Sequence, residues 1–475
     1  MVGAGAAKNA GFDPERLARI EPFLRHAYLE PAKLPMMQLL VARDGVPVHH
    51  LNLGTMGEGR EALREDALFR IASMTKPVTS IAFMQLVEQC KVALEEPVTK
   101  VFPEFADLKI FAGGGGQAPW APGKPAGPMR FVDLLTHMSG FTYGLQNRTN
   151  VDAAYRDNHF DFARAHLDSD EFVSRLSKLP LEFSPGERWN YSVSTDVLGI
   201  AVERLSGLRL GDYFERHIFA PLGMTDTRFG VAEGQLDRLV DAYQYVPGSA
   251  AKLIDTGRDS KLGQPGRFDS GGGGLVGTLA DYQRFVTMLV RGGELDGARI
   301  VSPKTLALMT ANHLPGGQDL TQLSQSLFSE SQNAGIGFGL GFATVIDPAK
   351  TLMPASKGEY YWGGAYSTAF FVDPVEAITM VFMTQVYPSS AYPIRRQLKT
   401  MIYSALADSR AQADAAASII ANAVNVAHPG IVRQPANSLR DMTDLDDLAV
   451  TVEVPSLPLE WVQRALQAGW QRARE

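Results

Sequence analysis

Cysteine is almost missing from this chain. Cys90 is the single one in 475 residues, so no intrachain disulfide can form and nothing calls for an oxidising compartment. Flanked by Leu86, Val87 and Val92, it is expected to be a buried structural thiol. Positive charge is not in excess either: a formal net charge of -7 leaves no basic footprint, and nucleic acid is not an expected partner. No apolar run approaches the ~18 residues that span a bilayer, so no membrane span is expected. Met1 to Pro14 lacks the basic and apolar regions of a secretory signal, which makes a cytoplasmic protein the expectation. The histidines include no His-Glu-x-x-His and no Cys/His spacing, so no metal is expected. A Gly-x-Ser-x-Gly elbow is absent, which argues against an α/β-hydrolase. There is no Walker loop and no dinucleotide fingerprint, so no cofactor is expected. The glycine run Gly113 to Gly116 is followed by Pro119, Pro122, Pro125 and Pro128, the pattern of an exposed loop rather than a phosphate cradle.

What is present is the composition of a soluble globular protein, 45% hydrophobic and 20% charged, which excludes wholesale disorder. The length exceeds what one core usually supports, so two lobes, or a domain with an appended segment, are expected. Residues 11–31 have helical periodicity, and 36–53 read as a hairpin that turns at Asp44-Gly45. Helices are predicted at 131–138, 170–178, 195–206 and 211–219, then strands at 340–346, 359–373 and 377–386, and a closing helix at 394–406. The pattern predicts a mainly antiparallel sheet built from both chain ends with flanking helices. An α/β lobe of about 1–72 and 240–406 would enclose an inserted, mostly helical lobe of about 73–239. Residues 407–475, with an Ala-rich helical stretch at 411–427 and an amphipathic one at 459–472, read as an extension. It is either a surface appendage or an oligomerisation or lid element.

The most informative stretch is Ser73-Met74-Thr75-Lys76, which sets a nucleophile and a proton-handling amine one helical turn apart. Pro77 is tolerated only in the opening turn of a helix, which places Ser73 at or near the helix start, where backbone amides favour developing negative charge. A second match, Ser249-Ala250-Ala251-Lys252, follows Pro247-Gly248 with no apolar run behind it and is expected to be a solvated loop. Tyr191, in Trp189-Asn190-Tyr191-Ser192, is a second candidate for the proton work. A nearby Lys76 cation would favour its phenolate, while burial would lower the pKa of Lys76, so either could be the base.

Ser184-Pro185-Gly186-Glu187-Arg188-Trp189-Asn190-Tyr191-Ser192, Asp196-Val197-Leu198-Gly199 and Leu134-Leu135-Thr136-His137-Met138-Ser139-Gly140-Phe141 together resemble the serine β-lactamase and penicillin-binding superfamily. The nearest likeness is to family VIII carboxylesterases, which share the class C β-lactamase fold. Pro221 to Thr227, Gly272 to Leu275, Asp281 to Phe285 and Trp362-Gly363-Gly364-Ala365 extend the resemblance over about residues 10–406. It implies that Ser73 is acylated, that Lys76 and Tyr191 share base and acid work, and that the amides of Ser73 and Ala365 form an oxyanion hole. His137 is implied to be structural. Trp362-Gly363-Gly364 stands where β-lactamases carry Lys-Thr-Gly, and Val193 where they carry the Asn of Tyr-x-Asn. Neither Trp362 nor Gly363 can replace a charge-assisted bond to the β-lactam carboxylate, so a neutral ester becomes the better substrate. Trp362 is expected as a pocket wall, with Gly363 and Gly364 permitting close substrate approach. Tyr143, within an aromatic group of Phe141, Tyr155, His159 and Phe160, is a further candidate for the pocket lining.

The resulting expectation is a metal-free serine carboxylesterase acting on short-chain, small-molecule esters through an acyl-enzyme, with β-lactam cleavage at most a side activity. A β-lactamase, an amide hydrolase or an acyltransferase on the same fold are the alternatives, and a non-catalytic scaffold or ligand sensor is the alternative of another class. The oligomeric state is not encoded in any motif.

Overall fold

The structure, a computed structural model, describes residues 4–325 and 334–411. Apart from Ala411 itself, the helical stretches read at 411–427 and 459–472 lie outside the described residues. Cα proximity divides the chain into two units, Met1–Ala405 and Leu406–Glu475.

The first unit is organised by a seven-stranded antiparallel sheet drawn from both ends of the chain. Its strands are β1 (Met36–Arg43), β2 (Val46–Gly54), β3 (Ile336–Phe338), β4 (Ala343–Val345), β5 (Tyr360–Gly363), β6 (Ala369–Asp373) and β7 (Ile378–Met383). Their order is β3-β4-β5-β6-β7-β1-β2. The β1–β2 hairpin turns where predicted, with Asp44 and Gly45 at φ 55° and 78°, the left-handed pair that a two-residue hairpin loop needs. β1 then pairs with β7, Gln38 opposite Met383.

Side chains alternate across this sheet, and both faces are covered. Phe370 meets Tyr282 of helix α3 (Leu279–Val290) at 5.3 Å between ring centroids. Its neighbour Phe371 stacks on Tyr403 of helix α4 (Ile394–Ser404) at 5.9 Å on the other face. Strands buried on both sides have no polar face to alternate with, which is why Ile378–Met383 is apolar almost throughout and wholly buried. The middle of the chain is helical. Its central member, α1 (Thr75–Glu88), is buried from Thr75 to Leu86 and packs on α2 (Ser194–Ser206).

Three local expectations are revised and a fourth is refined. The run 359–373 is two strands, because Gly364–Ser367 forms a turn closed by Ser367 N–H to Gly364 O at 3.0 Å. The run 340–346 holds a hairpin bend, with Gly341 at φ 96°, and β4 begins only at Ala343. The helical periodicity of residues 11–31 is realised as short helical pieces, Pro14–Leu17, Ile20–Leu24 and Arg25–Leu29. Cys90 is exposed, not buried: α1 ends at Glu88, and the chain turns outward through Cys90 at φ 56°.

Candidate active site

Ser73 occupies a 3₁₀ turn, Ala72–Met74, that feeds directly into α1. The turn is fixed from several sides. Ala72 is held at φ 45°, a left-handed conformation uncommon outside glycine. Thr75 Oγ1 donates to Ala72 O at 2.7 Å and accepts from Leu275 N at 3.1 Å. Tyr282 Oη donates to Met74 O at 2.9 Å. The second Ser-x-x-Lys copy has no such surroundings: Ser249, Ala250 and Lys252 are exposed, on a loop entering a short strand.

Lys76, one turn on, is 2% exposed. Its Nζ lies 3.3 Å from Ser73 Oγ, 3.1 Å from Tyr143 Oη and 2.5 Å from Gly272 O. It also stands 4.5 Å from the centroid of the Tyr191 ring. Burial holds its pKa down, to about 7, against the opposing pull of the Asp196 carboxylate. Asp196, in the first turn of α2, is buried and shifted upward by desolvation. It accepts from Ser270 Oγ at 2.5 Å and from Gly272 N at 3.0 Å, and Tyr143 Oη donates to it at 3.5 Å.

Tyr191 is buried among Trp362, Tyr143 and His137, at 5.4, 5.3 and 4.9 Å between ring centroids. Burial pushes its phenol up, and hydrogen bonding with Ser73 and Trp362 offsets only part of that. Of the two candidate bases that the sequence left open, the Tyr191 phenolate is disfavoured by desolvation, leaving Lys76 as the group whose neutral form is populated near pH 7. His137 is neutral, held well below its usual pKa by burial with a smaller push from Lys76, and its Nδ1 faces Ser192 Oγ at 3.3 Å.

The end of β5 closes the site. Gly364 N–H donates to Thr368 O at 2.8 Å, and Thr368 Oγ1 donates to Ile71 O at 3.4 Å, which ties the turn carrying Ala365 to the residues just before Ser73. A Cβ at Gly364 would sit 2.4 Å from Ile71 O. A Cβ at Gly363 would sit 2.4 Å from the Arg395 guanidinium carbon, whose Nη2 donates to Gly364 O at 2.9 Å and Thr368 O at 2.8 Å. The space left by these two glycines is thus taken by the protein itself, not by an approaching substrate. Trp362 is 1% exposed and packs against Tyr191 and Phe338.

A family model described as Beta-lactamase matches residues 26–400. The chain belongs to the beta-lactamase family. A second model, described as AbpE bacteria, matches residues 403–475. Among relatives within reach of this family, Protein Rv1367c of Mycobacterium tuberculosis is 35% identical over 334 residues, 69% of this chain and 79% of that one. Esterase EstB of Burkholderia gladioli is 31% identical over 388 residues, 77% of this chain and 90% of its own. The solved structure of EstCE1, described as a hydrolase with promiscuous acyltransferase activity, has the same fold, with a TM-score of 0.67 at 24% identity over 83% of this chain and 99% of that one.

Within this beta-lactamase fold, Ser73, Lys76, Tyr191 and Tyr143 come together, with Trp362 behind Tyr191. Tyr143 bonds Lys76 directly instead of only lining a pocket. The other aromatics of its group pack elsewhere, Phe160 on Tyr155 and Phe172 at 5.1 and 4.9 Å, and Phe141 on Phe105 at 5.6 Å. Sequence reasoning gave no role to Asp196 or Arg395. A carboxylate in the first turn of α2, directly ahead of the apolar run 197–202, was a usable signal for the first. Nothing local marks Arg395, which reaches the site from α4. Among the described residues, no group of three or more His, Cys, Asp and Glu side chains is placed to hold a metal ion, and no helix is long and apolar enough to cross a membrane.

Proposed function

We propose that the protein is a serine carboxylesterase that cleaves short-chain esters through an acyl-enzyme on Ser73. The observation that carries this reading is Lys76 Nζ at 3.3 Å from Ser73 Oγ with a pKa of about 7. A neutral amine has two hydrogens and one lone pair. Tyr143 Oη and Gly272 O accept the hydrogens, and the lone pair is left for the Ser73 proton. Ser73 Oγ attacks the ester carbonyl as its proton passes to Lys76, and the backbone N–H groups of Ser73 and Ala365 hold the oxyanion. Tyr191, neutral and adjacent to Ser73, supplies a proton to the leaving alcohol. Lys76 returns the Ser73 proton to Tyr191; water then attacks the acyl-enzyme with the neutral Lys76 again as base, that proton passes back to Ser73 Oγ, and the acid departs.

Trp362 and Gly363 at the Lys-Thr-Gly position supply no cation or hydroxyl for a substrate carboxylate, which favours a neutral ester over a β-lactam. The relationship to Esterase EstB supports the same reaction class. The test compares p-nitrophenyl butyrate turnover by the wild type and Ser73→Ala, with mass spectrometry after a fluorophosphonate. Turnover lost in the variant and an adduct on Ser73 are expected. An inactive wild type, or a variant that keeps its rate, overturns the assignment.

A further inference from the structure

A cavity of about 360 Å³ lies on the α4 face of the sheet, a volume within the range of small-molecule sites. Its apolar wall is made by Tyr361, Phe371 and Met380, consecutive cross-strand partners on β5, β6 and β7, with Tyr392 beside them. The intervening residues Trp362 and Phe370 direct their rings to the opposite face, toward Tyr191 and Tyr282. The sheet stands between most of this cavity and the Ser73 cluster, with Trp362 and Arg395 bordering both.

The charged lining is one-sided: Arg395, Arg396 and Lys399 against the single carboxylate Glu359. Lys399 Nζ is committed to Glu359 Oε1 in a buried ion pair, so the positive balance rests with the guanidiniums. Arg396 is exposed at the rim, where its Nη2 donates to Leu352 O at 2.7 Å. A guanidinium has five donors in a planar fork suited to a carboxylate, more than one carbonyl can use. Leu352, whose carbonyl this bond uses, is 81% exposed.

We propose that this cavity binds an aliphatic monocarboxylate, with its chain against Tyr361, Phe371 and Met380 and its carboxylate at Arg396. A cationic amphiphile is repelled there, and a neutral one forfeits the charge-assisted bonds. The acid released by the esterase reaction belongs to this chemical class, a link that rests on the reading of Ser73. The binding itself does not depend on it.

The test titrates full-length Ser73→Ala protein with octanoate in a calorimeter and repeats the titration with Met380→Trp and Arg396→Glu added singly. Saturable one-to-one binding is expected, abolished by Met380→Trp, which fills the cavity, and weakened at least tenfold by Arg396→Glu. The surface position of Arg396 keeps the test decisive if Met380→Trp melts early. Absence of saturable binding, or binding that Arg396→Glu leaves unchanged, overturns the proposal. The two readings fail separately: an inactive wild type that still binds octanoate counts against the esterase alone, and a normal p-nitrophenyl butyrate rate without octanoate binding counts against the cavity alone.

Discussion

Lys76 is useful because its surroundings make its charge costly, and Asp196 sets how costly. Only the neutral amine can accept the Ser73 proton, so kcat/KM is expected to rise with pH through the Lys76 pKa of about 7. Asp196 raises that pKa by favouring the ammonium. Replacing it by Asn, which keeps an oxygen for Gly272 N–H, removes the negative charge and lets the Lys76 pKa fall. The rising limb of the pH–rate profile of Asp196→Asn should therefore move to lower pH. A profile that stays in place, in a variant with wild-type melting, would separate Asp196 from the proton chemistry. At this scale the site was legible where chemistry and spacing coincide, as in Ser73 and Lys76. The balance between Lys76 and Tyr191 was not, because it turns on burial, and the sequence does not state how dry a group will be.

Between elements, the piece that needed the structure is the β5–β6 turn. Residues 359–373 read as one extended run because their side chains suit a strand throughout. What breaks the run is backbone geometry at Gly364–Ser367, with Ser367 at φ 70°. Arg395, projecting from α4, clamps the carbonyls of Gly364 and Thr368 on either side of that turn. Its guanidinium fills the volume that a side chain at 363 would need, so a Thr grafted there to restore Lys-Thr-Gly meets Arg395 first. Loss of one oxyanion donor costs about 10²–10³ in kcat in serine hydrolases, and a loosened turn should cost less. Arg395→Met, which keeps the apolar stem, is expected to lower kcat about ten- to a hundredfold while KM for p-nitrophenyl butyrate changes little, because an oxyanion contact acts chiefly in the transition state. An unchanged kcat would show that the turn holds its shape without the clamp.

Over the whole molecule, the architecture was readable from the distribution of strand-like segments at both ends and helix-like segments between them. The exact strand ends were not, since caps and turns here depend on contacts far apart in sequence. Every residue assigned to the reaction lies in the unit Met1–Ala405. A chain ending at 408 is accordingly expected to keep the wild-type kcat on p-nitrophenyl butyrate, and a large loss would give residues 409–475 a part in catalysis. The pairing of β1 with β7 has a consequence for how the protein is made. Gln38 finds its partner Met383 only 345 positions later, and at roughly 5–20 residues per second of synthesis the first hairpin leaves the ribosome roughly 20–70 s before that strand exists. For that interval β1 presents an apolar, unpaired edge, so the nascent chain carries an aggregation-prone strand through most of its synthesis, and slowing initiation or supplying a strand-shielding chaperone should raise the yield of folded protein more than any change near Ser73.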